Sequence, residues 1–176
     1  NYGHKKGLLT VEHIIDAAIK KKIQYLTLFV FSTENWRRPS NEINFLFSLL
    51  QNYIDKEIKN LKKKNLKINI IGNIKPFPTK LKSRLIKIQN LTKNNNKIQI
   101  NMALNYGSRD EIINAIKKLN KKKIIINENN ICKNLYTHNM PDPEILIRTG
   151  NTNRISNFLI WQTIYTEIFF EKKNVA

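Results

Sequence analysis

The sequence predicts an α/β fold with a mostly parallel β-sheet flanked by helices, and three observations carry that expectation. Short runs of branched and aromatic residues alternate with segments whose apolar residues recur at helical spacing, the pattern of a layered α/β domain. The first of these runs, over 23–31, is apolar on both faces, as in a strand covered by helices from both sides. No internal repeat and no linker interrupts the 176 residues, so the chain reads as a single domain over 1–176.

Taken in order, residues 8–22 place Val11, Ile14, Ile15, Ala18 and Ile19 on one helical face. The strand over 23–31 ends at the polar cluster Ser32-Thr33-Glu34-Asn35. A long helix is expected over 41–64, with Ile43, Leu46, Phe47, Leu50, Ile54, Ile58 and Leu61 as its stripe. A strand over 67–71 stops at Gly72, and a loop with Pro76 and Pro78 follows. Thr79 is placed to cap a helix over 79–92 that buries Leu81, Leu85, Ile88 and Leu91. Residues 97–104 form another strand. Ser108-Arg109-Asp110-Glu111 has the form of a capping box and opens a helix reaching Leu119. The polar stretch 120–140 yields no clear element beyond a short apolar run over 124–126. A strand over 144–148, a helix over 157–165 and a last strand over 167–170 complete the chain.

Hydrophobic residues make up 41% and charged residues 25%, ordinary values for a globular domain. No apolar run approaches the roughly 20 residues of a membrane span. The opening Asn1-Tyr2-Gly3-His4-Lys5-Lys6 has neither an initiator Met nor a basic-then-apolar signal, and reads as a chain entered in mid-domain. Cys132 is the one cysteine, which excludes an intrachain disulfide and points to a reducing compartment. The net charge of +18 raises the class of nucleic-acid binders. Such a protein wants lysines and aromatics on one face, whereas these lysines are dispersed and accompanied by abundant Asn and Ile. The arginines behave differently: of Arg37, Arg38, Arg84, Arg109, Arg148 and Arg154, all but Arg84 stand in or beside the polar motifs below. Arginine offers a planar five-donor fork suited to phosphate.

Ligands of open parallel sheets sit beyond the carboxyl ends of the strands. Polar motifs fall there after Phe31, Leu104 and Ile147, which points to one shared site. In Phe31-Ser32-Thr33-Glu34-Asn35-Trp36-Arg37-Arg38-Pro39, Ser32 can donate to a phosphate oxygen and Arg38 can bind a diphosphate bidentately. Trp36 can wall the site or cover an apolar tail; a capped loop with a packed Trp and solvated arginines is the alternative. In the segment 147–157, Arg148 leaves a strand, Gly150 permits a tight turn, and Arg154 and Ser156 precede a helix. Free N–H groups there would make an anion site, against the alternative of an ordinary turn capped by Ser156. Gly3-His4-Lys5-Lys6-Gly7, just before the first helix, again suits an anion. Glu167, among apolar neighbours, is either an oxygen ligand for Mg²⁺ or a surface charge opening an edge strand. Several anion sites with large apolar side chains, and no Gly-rich phosphate loop, point to a substrate with a charged head and an apolar tail.

The runs 3–7, 31–39, 104–112 and 141–170 together resemble the cis-prenyltransferase family of undecaprenyl diphosphate synthases and isoprenyl transferases, in family order across nearly the whole chain. The resemblance implies an undecaprenyl diphosphate synthase-like α/β fold with its first strand missing. It also implies a Mg²⁺-dependent transferase that condenses isopentenyl diphosphate with an allylic diphosphate such as farnesyl diphosphate, giving a long-chain polyprenyl diphosphate for cell-wall lipid carriers. It further implies a homodimer, peripheral at the cytoplasmic membrane face, with no nucleic-acid partner. By the same resemblance, His4 and Arg38 contact the allylic or a shared diphosphate, and Ser32, Thr33 and Glu34 form the substrate loop. Trp36 lines the path from diphosphate to prenyl tail, and Asn35 stands where a proton acceptor is assigned. Arg148, Arg154 and Ser156, with the Ile155 backbone, form the isopentenyl diphosphate clamp, and Glu167 is the Mg²⁺ ligand.

The chain also departs from the family. The Asp-Gly-Asn opening motif, expected upstream of Gly3, and the Trp-Pro-Asp-Phe and arginine-rich tail do not appear, so the domain reads as truncated at both ends. Asn151-Thr152 replaces a Gly-Glu pattern, and Asn69 and Asn73 stand where Arg and Asp are usual. These departures keep two other readings open: a non-catalytic prenyltransferase-like subunit, and an inactive fragment.

Overall fold

The computed structural model describes residues 2–173, with side chains at 7, 10–57 and 64–173. The order of elements is α1 (Tyr2–Lys20), β1 (Tyr25–Ser32), a 3₁₀ turn (Thr33–Arg37), α2 (Ser40–Lys63), β2 (Leu66–Ile71), α3 (Thr79–Thr92), β3 (Ile98–Tyr106), α4 (Ser108–Lys121), α5 (Glu128–Cys132), β4 (Ile145–Arg148) and β5 (Glu167–Phe170). They fall into two compact units, one ending at Asn105 and one beginning at Tyr106.

In the first unit β3 lies between β1 and β2. β2 and β3 run parallel, in register from Leu66 opposite Ile98 to Ile71 opposite Ala103. Period-two burial in the strands and the helical stripes meet in one core: Ile15 and Ala18 from α1, Phe31 from β1, Ile43, Phe47 and Ile54 from α2, Leu66 and Ile68 from β2, Leu81, Leu85 and Ile88 from α3, and Ile98, Ile100 and Leu104 from β3. Side chains of α3 satisfy the outer edge of β2. Thr92 Oγ1 accepts the Ile68 N–H at 3.0 Å, and Gln89 Oε1 accepts that of Ile70 at 2.9 Å. Those bonds blunt an edge that would otherwise template pairing with another chain. A row of amides crosses the sheet: Asn69 and Gln99 both donate to Asn101 Oδ1, and Asn101 donates to Thr27 Oγ1. Asn101 is fully buried, so a one-residue slip of β3 would strand its amide without partners.

The strand bounds of β2 and β5 and the bounds of α3 agree with the sequence-based expectation to within a residue. Leu91, expected inside, is instead exposed at 45%, and Thr92 is buried in its place, where its hydroxyl takes the Ile68 N–H. Three further details of this unit differ. β1 is an edge strand of the three-stranded sheet with Tyr25, Phe29 and Val30 exposed, and is not buried on both faces. The first helix begins at Tyr2, so His4 lies inside its first turn and not ahead of it; the His4 side chain falls outside the described residues. Pro78, not Thr79, occupies the N-cap of α3, its missing N–H costing nothing at a helix start.

In the second unit α4 and α5 enclose Ala115, Leu119, Ile131 and Leu135, with Ile112, Ile116 and Trp161 packed against them. β4 and β5 pair in parallel, Ile145 opposite Glu167 through Arg148 opposite Phe170. The helix expected over 157–165 does not form. Ser156, Asn157 and Leu159 have φ of 48°, 60° and 48°, left-handed values that no right-handed helix accommodates. The capping box is also replaced. Gly107 is the N-cap of α4, Ser108 Oγ accepts the Ile160 N–H at 3.0 Å, and Glu111 is buried at 2% exposure.

Candidate functional site

In the first unit the chain leaves β1 at Ser32 and turns through Thr33–Arg37. Asn35 makes this turn: its Oδ1 accepts the Ser32 backbone N–H at 2.9 Å, a reciprocal capping arrangement. One lone pair of Asn35 Oδ1 is thereby committed to holding the loop. Thr33 Oγ1 donates to Glu34 Oε2 at 3.2 Å on the exposed side. Trp36 stands edge-on to Phe31 at 5.3 Å and to Phe47 at 5.8 Å, with Phe77 completing the aromatic group. Its indole Nε1–H donates to Asn105 Oδ1 at 2.8 Å.

Asn105 in turn donates to the Asn73 carbonyl at 2.6 Å and accepts the Asn73 N–H at 3.3 Å. The end of β3 thus holds both the turn after β1 and the turn after β2. Gly72 makes the latter possible: at φ 110° a Cβ there would fall 2.1 Å from the Leu104 carbonyl oxygen. Arg38 pairs with Glu42 one helical turn on, at 2.6 Å, with both side chains exposed. An exposed pair of this kind holds weakly, so Arg38 can exchange Glu42 for an arriving anion. An open groove of about 360 Å³ runs between Trp36, Arg38, Ile43, Phe47, Pro76 and Pro78. Of the residues expected in this site, Trp36 and Arg38 line the groove, while Thr33 and Glu34 bond to one another on the exposed side. Asn105, the residue that holds Trp36, was not singled out, although its place at the carboxyl end of β3 was the signal available.

In the second unit Arg148 organises the loop after β4. Its Nε donates to Thr152 Oγ1 at 2.7 Å, and its Nη1 donates to the Ser156 hydroxyl at 2.7 Å and to the Arg154 carbonyl. The loop is anchored a second time through Gly150, whose N–H donates to the Lys173 carbonyl at 3.2 Å. Left-handed residues at Gly150, Asn151, Ser156 and Asn157 fold it back on itself. Arg148 thus contacts the Ser156 hydroxyl and the Arg154 backbone, the Ile155 carbonyl accepts the Phe158 N–H at 3.1 Å, and Arg154 is exposed. Ser156 meets Arg148 from a turn, because no helix follows it.

Behind this loop lies a buried network that the sequence did not disclose. Glu111 accepts from the Tyr106 hydroxyl, from the Tyr136 N–H at 2.7 Å and from Gln162 Nε2 at 3.1 Å. Burial first, and the Glu111 charge second, hold the Tyr106 phenol far above its ordinary pKa. The backbone of Asn157 accepts from Ser108 N at 2.8 Å, and its side chain accepts from Arg109 N at 3.0 Å. The start of α4 thus fixes the segment that follows this loop. Trp161 Nε1 donates to Cys132 Sγ at 3.2 Å, which gives the lone cysteine a packing role.

Glu167 is exposed on β5 opposite Ile145. Among the described residues no group of three or more His, Cys, Asp or Glu side chains could hold a metal ion. Glu167 is a single exposed carboxylate, an oxygen donor of the type Mg²⁺ accepts. Among the same residues no helix is long and apolar enough to cross a membrane.

The chain matches the Prenyltransf model, the undecaprenyl diphosphate synthase family, over residues 1–175. It is 45% identical over 175 residues to an isoprenyl transferase of Clostridium tetani, covering 96% of this chain and 69% of that protein. It is 40% identical to a ditrans,polycis-undecaprenyl-diphosphate synthase, (2E,6E)-farnesyl-diphosphate specific, of Vibrio vulnificus, covering 96% of this chain and 70% of that one. A crystal structure of a probable undecaprenyl diphosphate synthase from Campylobacter jejuni superposes with a TM-score of 0.88 at 35% identity, over 99% of this chain and 82% of that one. Lavandulyl diphosphate synthase from Lavandula x intermedia, solved with dimethylallyl diphosphate, gives 0.93 at 27% identity, over 99% and 78%. The parallel α/β fold shared with these structures, and the similarity to curated isoprenyl transferases, are those of a prenyltransferase. The chain belongs to the undecaprenyl diphosphate synthase family.

Proposed function

We propose that this protein condenses isopentenyl diphosphate with an allylic diphosphate, farnesyl diphosphate being the expected one, to give a long-chain polyprenyl diphosphate of the undecaprenyl type. The observation that supports the reading is the loop after β4, where Arg148 holds Thr152, Ser156 and the Arg154 carbonyl together while Arg154 itself stays exposed. Arg148, Arg154, Ser156 and Ile155 hold the isopentenyl diphosphate, whose diphosphate is retained in the product. Arg38, with Ser32, Thr33 and His4, holds the allylic diphosphate, while Glu34 borders that loop and Trp36 faces the prenyl tail.

The reaction breaks the allylic C–O bond, the electron pair leaving with diphosphate. The terminal double-bond carbon of isopentenyl diphosphate attacks the allylic carbon, leaving positive charge on its tertiary carbon. A proton is then lost from C2, between that carbon and the diphosphate-bearing one, to form the new double bond. Holding the two reactants together supplies much of the advantage, and the arginines stabilise the charge that grows on the leaving group. Asn35 is a neutral amide whose oxygen already accepts the Ser32 N–H. It therefore orients the loop, and the proton passes to a diphosphate oxygen, the stronger base. Mg²⁺ when bound supplies further positive charge against the departing diphosphate, and Glu167 is the residue of this chain suited to hold it.

In this reading residues 1–176 work as one catalytic domain within a homodimer. The exposed Ile164, Tyr165 and Phe169 support that pairing, since Tyr165 is 98% and Ile164 69% exposed. A lipid product would keep the protein peripheral at the cytoplasmic membrane face. The test is incorporation of radiolabelled isopentenyl diphosphate into extractable lipid, with farnesyl diphosphate and Mg²⁺, by the protein expressed from its complete reading frame. Product that requires both substrates is the expected result. No incorporation, with the fold intact by circular dichroism, would favour the non-catalytic subunit.

A further inference from the structure

The last residue of α4 and its connection to α5 carry three lysines followed by three isoleucines, Lys121-Lys122-Lys123-Ile124-Ile125-Ile126, and every one of them is exposed. Ile124, Ile125 and Ile126 are 41%, 77% and 51% accessible, three consecutive branched side chains with no core to enter. Their presentation is built. Lys123 takes a left-handed φ of 55°, its N–H donates to the Asn120 carbonyl, and the Ile124 N–H donates to the Leu119 carbonyl, both at 3.0 Å. Those two bonds are a Schellman stop, which turns the chain sharply out of α4. A lysine there costs more than the usual glycine, because its Cβ crowds the left-handed backbone. On the other side Asn127 Oδ1 caps α5 by accepting the Asn130 N–H at 2.9 Å, and Asn130 Nδ2 donates to the Ile125 carbonyl at 2.8 Å. The isoleucines therefore sit on a short connection tied down at both ends. Lys117, one turn back on α4, and Lys133, just after α5, are also exposed, and Glu128 is the one acidic residue between them.

We propose that this connection is a docking surface for an anionic phospholipid bilayer: the isoleucines enter the interface and the lysines face the headgroups. Charge complementarity selects that occupant. A basic collar around an apolar tip is the composition of an interfacial anchor, in which buried apolar area and attraction to anionic lipid act together. A nucleic acid would use the lysines but leave three isoleucines in water, and the segment offers no aromatic ring on which a base could stack. The inference rests on the prenyltransferase reading only for its purpose. An enzyme that lengthens an apolar tail gains by meeting the leaflet into which that tail partitions.

The test is co-sedimentation of the protein with phosphatidylcholine vesicles and with mixed phosphatidylcholine–phosphatidylglycerol vesicles. Because the whole chain carries +18, diffuse attraction to anionic vesicles is the competing account, and the decisive variant leaves charge untouched. Ile124→Ser/Ile125→Ser/Ile126→Ser, exposed positions whose replacement leaves the core intact, is expected to weaken binding to mixed vesicles at least tenfold. Lys121→Gln/Lys122→Gln/Lys123→Gln is expected to weaken it about fivefold per lysine. Ile125→Trp should shift the indole emission to the blue when mixed vesicles are added. Undiminished binding by the triple-serine variant, an unshifted emission, or equal binding to both vesicle types would overturn the proposal. So would loss of duplex DNA binding, and not vesicle binding, in the lysine variant. Turnover of soluble substrates without vesicles should be the same in all variants, so failed docking and failed catalysis are read separately.

Discussion

Replacing Asn105 by Asp perturbs one of the two groups that Asn105 joins. The new carboxylate still accepts the Trp36 indole N–H, 2.8 Å away in the native chain, and Asp tolerates the left-handed φ of 47°. It cannot donate to the Asn73 carbonyl, however, and sets an anionic oxygen against an acceptor that sits 2.6 Å from the native amide. Asn105 is only 8% exposed, so water cannot readily repair the mismatch. An unmatched buried group costs about 1–3 kcal/mol, and the expected loss is therefore about 2–3 kcal/mol, or about 4–12 °C in Tm for a chain of this size. Trp36→Phe removes the other half of the joint. It keeps the ring edge-on to Phe31 and Phe47 but leaves Asn105 Oδ1 without its donor, a loss of about 1 kcal/mol given that Trp36 is 38% exposed. The assay is urea denaturation followed by circular dichroism for wild type, the single variants and the double variant. Because Asn105→Asp keeps the Trp36 bond, the cycle with Trp36→Phe is closed with Asn105→Ala, which removes it, and a coupling of at least about 0.5 kcal/mol is expected between those two. Strict additivity would refute the claim that Asn105 holds Trp36. A second readout separates positioning from bulk stability: below the unfolding temperature, Asn105→Asp should raise the KM for the allylic diphosphate with little change in that for isopentenyl diphosphate.

Arg154→Lys exchanges an exposed fork for a point charge, so the KM for isopentenyl diphosphate should rise about tenfold or more while Tm stays within a degree or so; steady-state kinetics with an unchanged KM would remove Arg154 from the clamp. Arg148→Lys should lower Tm as well, because the lost fork also bonds Thr152, Ser156 and the Arg154 carbonyl; thermal melts of the two variants run side by side would show whether that distinction is real. Tyr106 is held protonated in the fold, above its unfolded value of about 10, so its contribution is complete below pH 10 and is lost as pH rises toward the folded value. Stability of the wild type should therefore fall about 1.4 kcal/mol per pH unit more steeply above pH 10 than that of Tyr106→Phe, and equal slopes in alkaline urea titrations would show that Tyr106 ionises as freely as in the unfolded chain.

The elements that local pattern determines were legible in the sequence. α3 needed only its apolar spacing at Leu81, Leu85 and Ile88, and β5 only a short branched and aromatic run. The segment 157–165 was misread because Phe158, Trp161, Ile164 and Tyr165 repeat at helical spacing while the backbone answers to distant partners. Ser108 binds the Ile160 N–H, and Glu111 and Thr137 both take Gln162 Nε2. These are tertiary bonds that no periodicity encodes. The same contacts explain the misread capping box: both of its residues have the right type and spacing, and both are recruited elsewhere. At the candidate site the residue types were legible, because arginine in a lysine-rich chain marks a need for geometry. Which donor meets which acceptor was not, since Asn105 and Thr152 look like ordinary loop polar residues until the turns bring them to Trp36 and Arg148.

The loop after β4 shows why arginine stands at its root. Left-handed backbone at Asn151, Ser156 and Asn157 costs about 1–2 kcal/mol per residue relative to ordinary conformations. Something must offset that cost before a substrate arrives, or the loop would open. Arg148 does so from the end of a strand, with two nitrogens of one rigid plane reaching Thr152, Ser156 and the Arg154 carbonyl together. A lysine would have to choose among these acceptors from a flexible stem. Because Nε and Nη1 are committed to the loop, Arg148 is left with Nη2 to offer an anion, whereas Arg154 keeps its whole exposed guanidinium. In the proposed reaction the two arginines would therefore divide the work: Arg148 would shape the loop in advance, and exposed Arg154 would supply most of the charge that meets the diphosphate.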